Sequence, residues 1–133
     1  PTEDRWEFAC RAGTTSRFFL GDDGAHLDQV AWFGRNADAR PHRTAELQAN
    51  PFGLHDLHGN VWEWMADEWT LPADAPRELP AGQRVLRGGD WTSLPSSCRS
   101  AHRHADLPTA RYGSVGFRVM LSVESVQRQL RAK

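Results

Sequence analysis

Residues 87–119 constrain the fold of this chain more than any other segment. They begin with two glycines, an aspartate and a tryptophan (residues 88–91) and end with Gly-Phe-Arg-Val (residues 116–119). Small and short polar residues predominate between these ends, a pattern of neither a regular helix nor a regular strand. Strands are predicted at either end, over residues 84–87 and 117–121. We therefore interpret residues 87–119 as a long irregular surface segment, the usual location of a binding site, which the rest of the chain holds in place.

Composition indicates one globular domain. The chain has 133 residues, of which 39% are hydrophobic and 25% are charged, and its net charge is −1. This length is enough for a single core, and the small net charge indicates neither a nucleic acid nor an acidic membrane as a partner. No apolar run is long enough to span a membrane, and no signal peptide is visible.

The N-terminus has the clearest helical pattern. A helix is predicted over residues 1–13, with Thr2 as its N-cap, two acidic residues in its first turn and Gly13 as its stop. Trp6 and Cys10 are expected to pack in the core. The residues that share one face of this helix are Trp6, Ala9, Cys10 and Gly13.

Aromatic and sulfur-containing residues suggest how such a fold is held together. The chain has six tryptophans, and large rigid side chains can stabilise a fold with little regular structure. It has two cysteines, Cys10 and Cys98. Two alternatives are open: a disulfide bridge, which favours an oxidising compartment, or a pair of reduced buried thiols.

The remaining periodicity is weaker. Two turn aspartates, Asp22 and Asp23, could ligate a cation, although solvated turn aspartates are the more common case. We predict a strand over residues 17–20, a turn over 21–24, a helical turn over 25–30, an apolar patch over 31–33 and a polar loop over 36–48. Further along we predict a strand over residues 61–64, a proline-containing loop over 66–83, and a C-terminal helix over 122–133 with Val123, Val126 and Leu130 at helical spacing.

Residues 50–64 form the loop with the strongest local signals, since a proline and two glycines set tight turns. The carboxylates of Asp56 and Glu63, with carbonyls between them, offer the hard oxygen ligands that calcium prefers. His55 and His58 form an H-x-x-H pair without a third ligand nearby, so a structural role is predicted for both.

Five motifs occur in a characteristic order along the chain. They are PTEDRWEFACRAG (residues 1–13), NPFGLHDLHGNVWEW (50–64), RVLRGGDW (84–91), CRSAHR (98–103) and GFRV (116–119). Together they resemble the formylglycine-generating-enzyme (sulfatase-modifying factor) family over nearly the whole chain. The resemblance implies a single α+β, C-type-lectin-like domain over residues 1–133 with little regular secondary structure. Relatives usually carry further residues before the first motif, so we expect this chain to lack the N-terminal part of the domain.

The resemblance also implies a structural Ca²⁺ site in the second motif. Its ligands would be the side chains of Asp56 and Glu63 and the carbonyls of Gly59 and Val61, which agrees with the hard-ligand pattern above. A second calcium site of the enzymes is not expected, because residues 34–46 are too short for the loop that it needs.

The catalytic residues of the family's enzymes have no counterparts in this sequence. These enzymes bind copper through two cysteines shortly after the Gly-Gly-x-aromatic motif, and soft thiolates suit Cu(I). The first position corresponds to Ser93 here, and the second has no cysteine near it. Cys98 belongs to the fourth motif, where the resemblance brings it close to Cys10. The histidine set with which sulfoxide-synthase relatives hold iron has no match either. We therefore expect no copper, no catalytic residues and no enzymatic activity.

The resemblance extends to the variable proteins of diversity-generating retroelements, which share this fold. Their segment between G-G-x-W and G-F-R is rewritten at template adenines, so every altered codon ends in a pyrimidine. Such codons never encode Lys, Glu, Gln, Met or Trp. Residues 92–118 contain none of these five types in 27 positions, whereas the other 106 residues contain 21. About five would be expected in the segment from composition. In addition, no asparagine follows Asn60.

This resemblance divides the segment into two sets of residues. The framework set is Trp91, Cys98, Arg99, Ala101, Arg103, Arg111 and residues 116–118. Arg87, Arg99, Arg103 and Arg118 are expected to donate hydrogen bonds to carboxylates and carbonyls within this framework. The positions predicted to bind ligand are Asp90, Thr92, Ser93, Leu94, Ser96, Ser97, His102, His104, Ala105, Leu107, Thr109, Ala110, Tyr112, Gly113 and Ser114.

Short polar side chains with interspersed aromatic and imidazole groups make an adaptable contact surface. We therefore interpret the chain as a ligand-binding variable protein with a protein or other macromolecule as its partner. This role is compatible with display at a cell or virus surface. Two alternatives stay open. One is a family member that is neither diversified nor catalytic. The other is a formylglycine-generating or related oxidoreductase, which the missing cysteine pair disfavours.

Overall fold

The computed structural model describes residues 1–70 and 81–131. The chain begins with helix α1 (Glu3–Arg11) and ends with helix α2 (Val123–Arg131). Short 3-10 turns cover Leu27–Gln29 and Pro95–Ser97. No helix in the described ranges is long and apolar enough to cross a membrane.

The described residues contain six short strands, which form two sheets. Strands β1 (Ala31–Trp32) and β2 (His58–Gly59) pair in parallel. The larger sheet contains β3 (Trp62–Glu68), β4 (Arg84–Arg87), β5 (His104–Asp106) and β6 (Val115–Gly116), in the order β5-β4-β3-β6. Strand β4 pairs antiparallel with β3 and β5, whereas β6 pairs in parallel with β3. The segment that follows β4 therefore returns to both edges of the central β3–β4 pair.

Helix α1 forms where the sequence predicts it. Thr2 has an extended backbone at the N-cap position, and its carbonyl accepts the first helical hydrogen bond from Trp6, but its side chain makes no cap bond. The helix ends at Ala12, which adopts a left-handed conformation, and Gly13 follows with a positive φ. The core face is confirmed for Trp6 and Cys10, whereas Gly13 is exposed.

Two apolar clusters make up the core. The first lies under β1 and the 3-10 turn Leu27–Gln29, and the second lies between α1 and the larger sheet. Cys98 belongs to the first cluster and Cys10 to the second, and both thiols are free, so the reduced alternative describes this structure. The fully buried apolar side chains of the two clusters are Leu27, Val30, Ala31, Phe33, Trp6, Leu57 and Val85.

Several sequence predictions need correction. The predicted strand over residues 17–20 is a turn, because Phe18 and Gly21 hydrogen-bond each other and the chain reverses at once. The predicted loop over 66–83 begins later, since β3 continues to Glu68; its residues 71–80 lie outside the described part. The strand over residues 84–87, the helical turn near 25–30 and the C-terminal helix are confirmed.

The predicted closing strand over residues 117–121 is wrong. The chain forms only the two-residue strand β6 before it, and residues 117–122 have no regular structure. Phe117 and Val119 are 75% and 78% exposed. Apolar alternation alone does not make a strand, because its backbone groups need a neighbouring edge with which to pair.

Candidate binding site

The inner face of the larger sheet is the face turned towards α1. A buried arginine lies on it. Arg87 at the end of β4 is only 1% exposed. Its guanidinium donates to the carbonyl of Ser100 at 2.8 Å, to that of Ala101 at 3.3 Å, and to the carboxylate of Glu7. Arg87 thus joins the sheet, helix α1 and the CRSA motif, which confirms its predicted role as a framework donor.

The other predicted framework arginines act in the same way. Arg103 makes a bidentate pair with Glu3 of α1, with both bonds at 2.7 Å, and lies 4.4 Å from the ring centroid of Trp69. Arg99 donates to the carbonyl of Ser96 at 2.7 Å. These charge-assisted bonds fix the backbone around residues 96–103.

Glu63 of β3 is the centre of a second buried network. Its carboxylate accepts a hydrogen bond from the indole N–H of Trp6 at 2.7 Å. Arg118 contacts both carboxylate oxygens at 2.8–3.2 Å and also donates to the carbonyl of His55 at 2.8 Å. The network connects the first, second and last motifs, which explains why they occur together.

This network bears on the expected calcium ligands. Arg118 and Trp6 already occupy both oxygens of Glu63, so Glu63 does not fit a calcium site in this geometry. Asp56 does fit: one of its oxygens accepts from the N–H of Ala45 at 2.9 Å, and the other is buried without a partner. Calcium binding stays a prediction, with Asp56 as the residue that has a free ligand atom.

The H-x-x-H pair is structural, as predicted. His55 contacts the carbonyl of Leu47 at 2.8 Å through its Nδ1, and His58 contacts that of Cys98 at 2.7 Å. Burial lowers the pKa of His58 to about 4, while its hydrogen bond to Cys98 acts in the opposite direction. Burial also raises the pKa of the Cys10 and Cys98 thiols to about 12.

The turn after the double glycine corrects one predicted contact position. Asp90 is only 5% exposed. One of its oxygens accepts from the N–H and hydroxyl of Thr92, at 3.0 and 2.9 Å, and from the hydroxyl of Ser93 at 2.8 Å. Asp90 therefore shapes the turn instead of facing a ligand, and Thr92 and Ser93 use their hydroxyl groups within it.

The outer face of the larger sheet brings predicted positions together. Trp62 and Trp64 alternate with Glu63 along β3 and are half-buried on the face opposite to Arg87. The ring centroid of Trp62 lies 5.8 Å from that of His102 and 5.2 Å from that of His104. The pKa of His102 is lowered, chiefly by burial and then by the neighbouring charges of Arg99, His104 and Arg87.

A groove of about 680 Å³ continues this face beyond Trp64. Ala110 and Tyr112 line it, together with Arg111 and Phe117. The structure thus gathers His102, His104, Ala110 and Tyr112 around two tryptophans. Sequence reasoning missed the part played by Trp62 and Trp64, although their alternation with an acidic residue indicated that they share one face of a strand.

The other predicted positions are scattered. Leu94 is 70% exposed, and Ser96 lines a separate hollow with Arg17 and Asp22. The remaining positions are Ser97, Ala105 and Ser114, which are half-buried, and Leu107, Thr109 and Gly113, which are exposed.

The chain is similar to known proteins in sequence and in structure. Residues 1–123 match the sulfatase-modifying factor enzyme 1-like domain. The chain is 34% identical to the formylglycine-generating enzyme of Bos taurus, a match over 89% of this chain and 37% of that protein. It is 35% identical to the serine/threonine-protein kinase pkn1 of Chlamydia caviae, over 93% of this chain and 21% of that protein.

Two solved structures share the fold. Treponema denticola variable protein 1 superposes with a TM-score of 0.78 at 31% identity, over 88% of this chain and 45% of that one. PvdO from Pseudomonas aeruginosa superposes with a TM-score of 0.72 at 30% identity, over 87% of this chain and 49% of that one. The chain spans between about a fifth and a half of these relatives. It belongs to the family of sulfatase-modifying factor enzyme 1-like domains, which includes formylglycine-generating enzymes.

Proposed function

We propose that this domain is a ligand-binding module of the variable-protein type, which recognises a protein or other macromolecule through the outer face of its larger sheet. The observation that carries the proposal is the grouping of His102, His104, Ala110 and Tyr112 around Trp62 and Trp64. All four come from the segment without Lys, Glu, Gln, Met or Trp.

The rigidity of the scaffold supports this proposal. The bonds of Arg87 and Arg103 hold the segment against α1 without involving the side chains of the outer face. A binding surface that changes in sequence needs such a separation, because ordered scaffolds keep the entropy cost of binding low. The similarity to Treponema denticola variable protein 1 is in accord with it.

The chemistry of the cysteines argues against the oxidase alternative. Ser93, which stands at the first copper position, uses its hydroxyl to bond Asp90. The two cysteines that the chain does have are fully buried in separate core clusters, and their raised pKa values disfavour the thiolate that Cu(I) requires.

The proposal can be tested with a library. His102, His104, Ala110 and Tyr112 would be randomised with codons ending in a pyrimidine, and the displayed variants selected against several purified proteins. We expect folded, specific binders. A matched library that randomises Glu63 and Arg87 should yield no folded protein. Failure to obtain any binder from the first library would overturn the proposal, as would finding no near-copy of the coding segment for residues 92–118, differing at adenines, beside a reverse-transcriptase gene.

The oxidase alternative has its own test. Copper-loaded protein would be incubated with a cysteine-containing sulfatase peptide and the peptide mass followed. We expect no conversion to formylglycine. Conversion would establish enzymatic activity and overturn the non-catalytic part of the proposal.

Calcium is proposed as a structural ion that contacts Asp56. We expect added Ca²⁺ to raise the melting temperature of the wild-type chain and to leave that of Asp56→Asn unchanged. Asp28→Asn, at an exposed position of the 3-10 turn Leu27–Gln29, is the matched control and should respond as the wild type does. An equal response in all three proteins would remove Asp56 from the site, and no response in the wild type would remove calcium altogether.

A further inference from the structure

Two hollows meet at Trp64 of β3, which lines both. The larger hollow is the groove described above, with a volume of about 680 Å³, and the smaller has a volume of about 370 Å³. Both sizes are typical of ligand sites. The larger lies towards Tyr112 and Phe117, and the smaller lies towards Arg84 and Pro108. A ligand that crosses Trp64 would fill both.

The larger hollow combines aromatic walls with one cation. Tyr112 and Phe117 are 59% and 75% exposed beside it. Among the described residues that line it, only Arg111 is charged, and its Nη1 donates to the carbonyls of Pro108 and Ala110 at 3.0 and 2.9 Å. Within the described residues no carboxylate lies within 4.0 Å of Arg111. The guanidinium is therefore oriented by carbonyls and keeps free donors for an external carboxylate.

The cation of the smaller hollow already has an acidic partner. Arg84 donates to the carbonyl of Ala66 at 2.6 Å and lies 3.4 Å from Glu68. The described residues that line the two hollows include no aspartate or glutamate, so the guanidinium of Arg111 is the charge that an external ligand meets. Charge complementarity at Arg111 thus favours an acidic ligand.

Because Trp64 lines both hollows, it favours an acidic ligand that is extended. In an extended peptide, alternate side chains point the same way and lie roughly 7 Å apart. Such a peptide can place one side chain in each hollow with its backbone over Trp64.

Building on the proposed function, we propose that these two hollows bind an extended acidic peptide segment of a protein ligand. An aromatic or large aliphatic side chain lies between Tyr112 and Phe117, and a neighbouring carboxylate pairs with Arg111. This assigns the ligand class that the outer face of this particular chain recognises.

The test uses a random peptide library displayed on phage and panned against the intact chain. We expect enriched peptides to combine acidic residues with an aromatic or large aliphatic residue. For a synthetic peptide of the enriched sequence, Arg111→Gln and Tyr112→Ser should each raise the dissociation constant by about tenfold or more. Arg40→Gln, at an exposed loop position, is the matched control and should leave it unchanged.

Each outcome decides the inference. Enrichment of basic peptides, no enrichment, or equal affinity of the wild type and Arg111→Gln would overturn it. Failure here is distinguishable from failure of the proposed function. Binders recovered from the diversified library without an acidic preference in the peptide panning would leave the proposed function standing and remove only the acidic-peptide assignment.

Discussion

The two faces of strand β3 differ in burial and in what their side chains contact. On the inner face, Glu63 and Met65 are 5% and 4% exposed, and the Glu63 carboxylate has partners on both oxygens. On the outer face, Trp62 and Trp64 are half-buried beside imidazoles and an open groove. Neighbouring residues of one strand therefore have opposite tasks. The inner face fixes the fold, whereas the proposed function requires the side chains of the outer face to be replaceable.

The proposed function requires a fold with little regular structure to support a variable surface, and the inner face shows what holds such a fold together. Its motifs are joined by hydrogen bonds between residues far apart in the chain, such as Trp6 to Glu63 and Glu3 to Arg103. Charge-assisted bonds of this kind define geometry without long helices or strands. Substitutions should therefore have large effects in the framework and small effects on the outer face, and four measurements test this contrast.

The largest effect is expected at Gly59. A Cβ there would lie 2.2 Å from the carbonyl oxygen of Trp32, and the residue has a φ of +81°. Gly59→Ala should lower the free energy of unfolding by roughly 3 kcal/mol or more, because the backbone of β1 must move. Gly113→Ala, where no atom lies within 4 Å of the added carbon, is the matched control. Urea denaturation compares the two, and similar losses would contradict the contrast.

A comparable loss is expected when the buried cation is removed. Arg87→Ala leaves the carbonyls of Ser100 and Ala101 without this donor and leaves Glu7 with Arg11 alone. A loss of roughly 3 kcal/mol is expected, because each buried acceptor left without its partner costs about 1–3 kcal/mol. Arg40→Ala, at an exposed position, should change the free energy of unfolding by less than about 0.5 kcal/mol. If Arg87→Ala also changed stability this little, the network would not hold the segment against α1.

The third effect is a dependence of the free energy of unfolding on pH. The folded-state pKa of His58 is lowered from 6.5 to about 4 by burial, so folding favours its neutral form. Its contribution to stability is fully present above pH 6.5 and is lost as the pH falls towards 4. The difference between the two pKa values corresponds to roughly 3 kcal/mol. Urea denaturation between pH 7 and 4 should show this loss in the wild type and in His26→Gln. A much smaller slope is expected in His58→Gln, and an unchanged slope would assign the titration to other groups.

Local patterns predicted the framework better than they predicted the site. Helix α1 was predictable because a capping position, an acidic first turn and an apolar face coincide over a few residues. The role of Arg87 and Arg118 was predictable because arginines within glycine-containing motifs commonly bond backbone carbonyls and carboxylates.

The failures concern contacts between distant residues. The closing strand was predicted from the alternation of Phe117, Val119 and Leu121, but pairing depends on an edge that the local sequence does not specify. Asp90 was assigned to the ligand because it lies inside the segment, whereas a short acidic side chain after two glycines can accept hydrogen bonds from the following residues. Alternation placed Trp62 and Trp64 on one face of a strand without showing which face is open.

The smallest effect is expected on the outer face. Tyr112→Ser and His104→Ser should each change the free energy of unfolding by less than about 0.5 kcal/mol, since both side chains are exposed. Met65→Ala, on the inner face of β3, should cost roughly 2–5 kcal/mol because it leaves a cavity in the core. Thermal and urea unfolding of the three variants make the comparison. A loss in Tyr112→Ser as large as that in Met65→Ala would mean that the outer face contributes to folding, and a surface that contributes to folding cannot be varied freely for recognition.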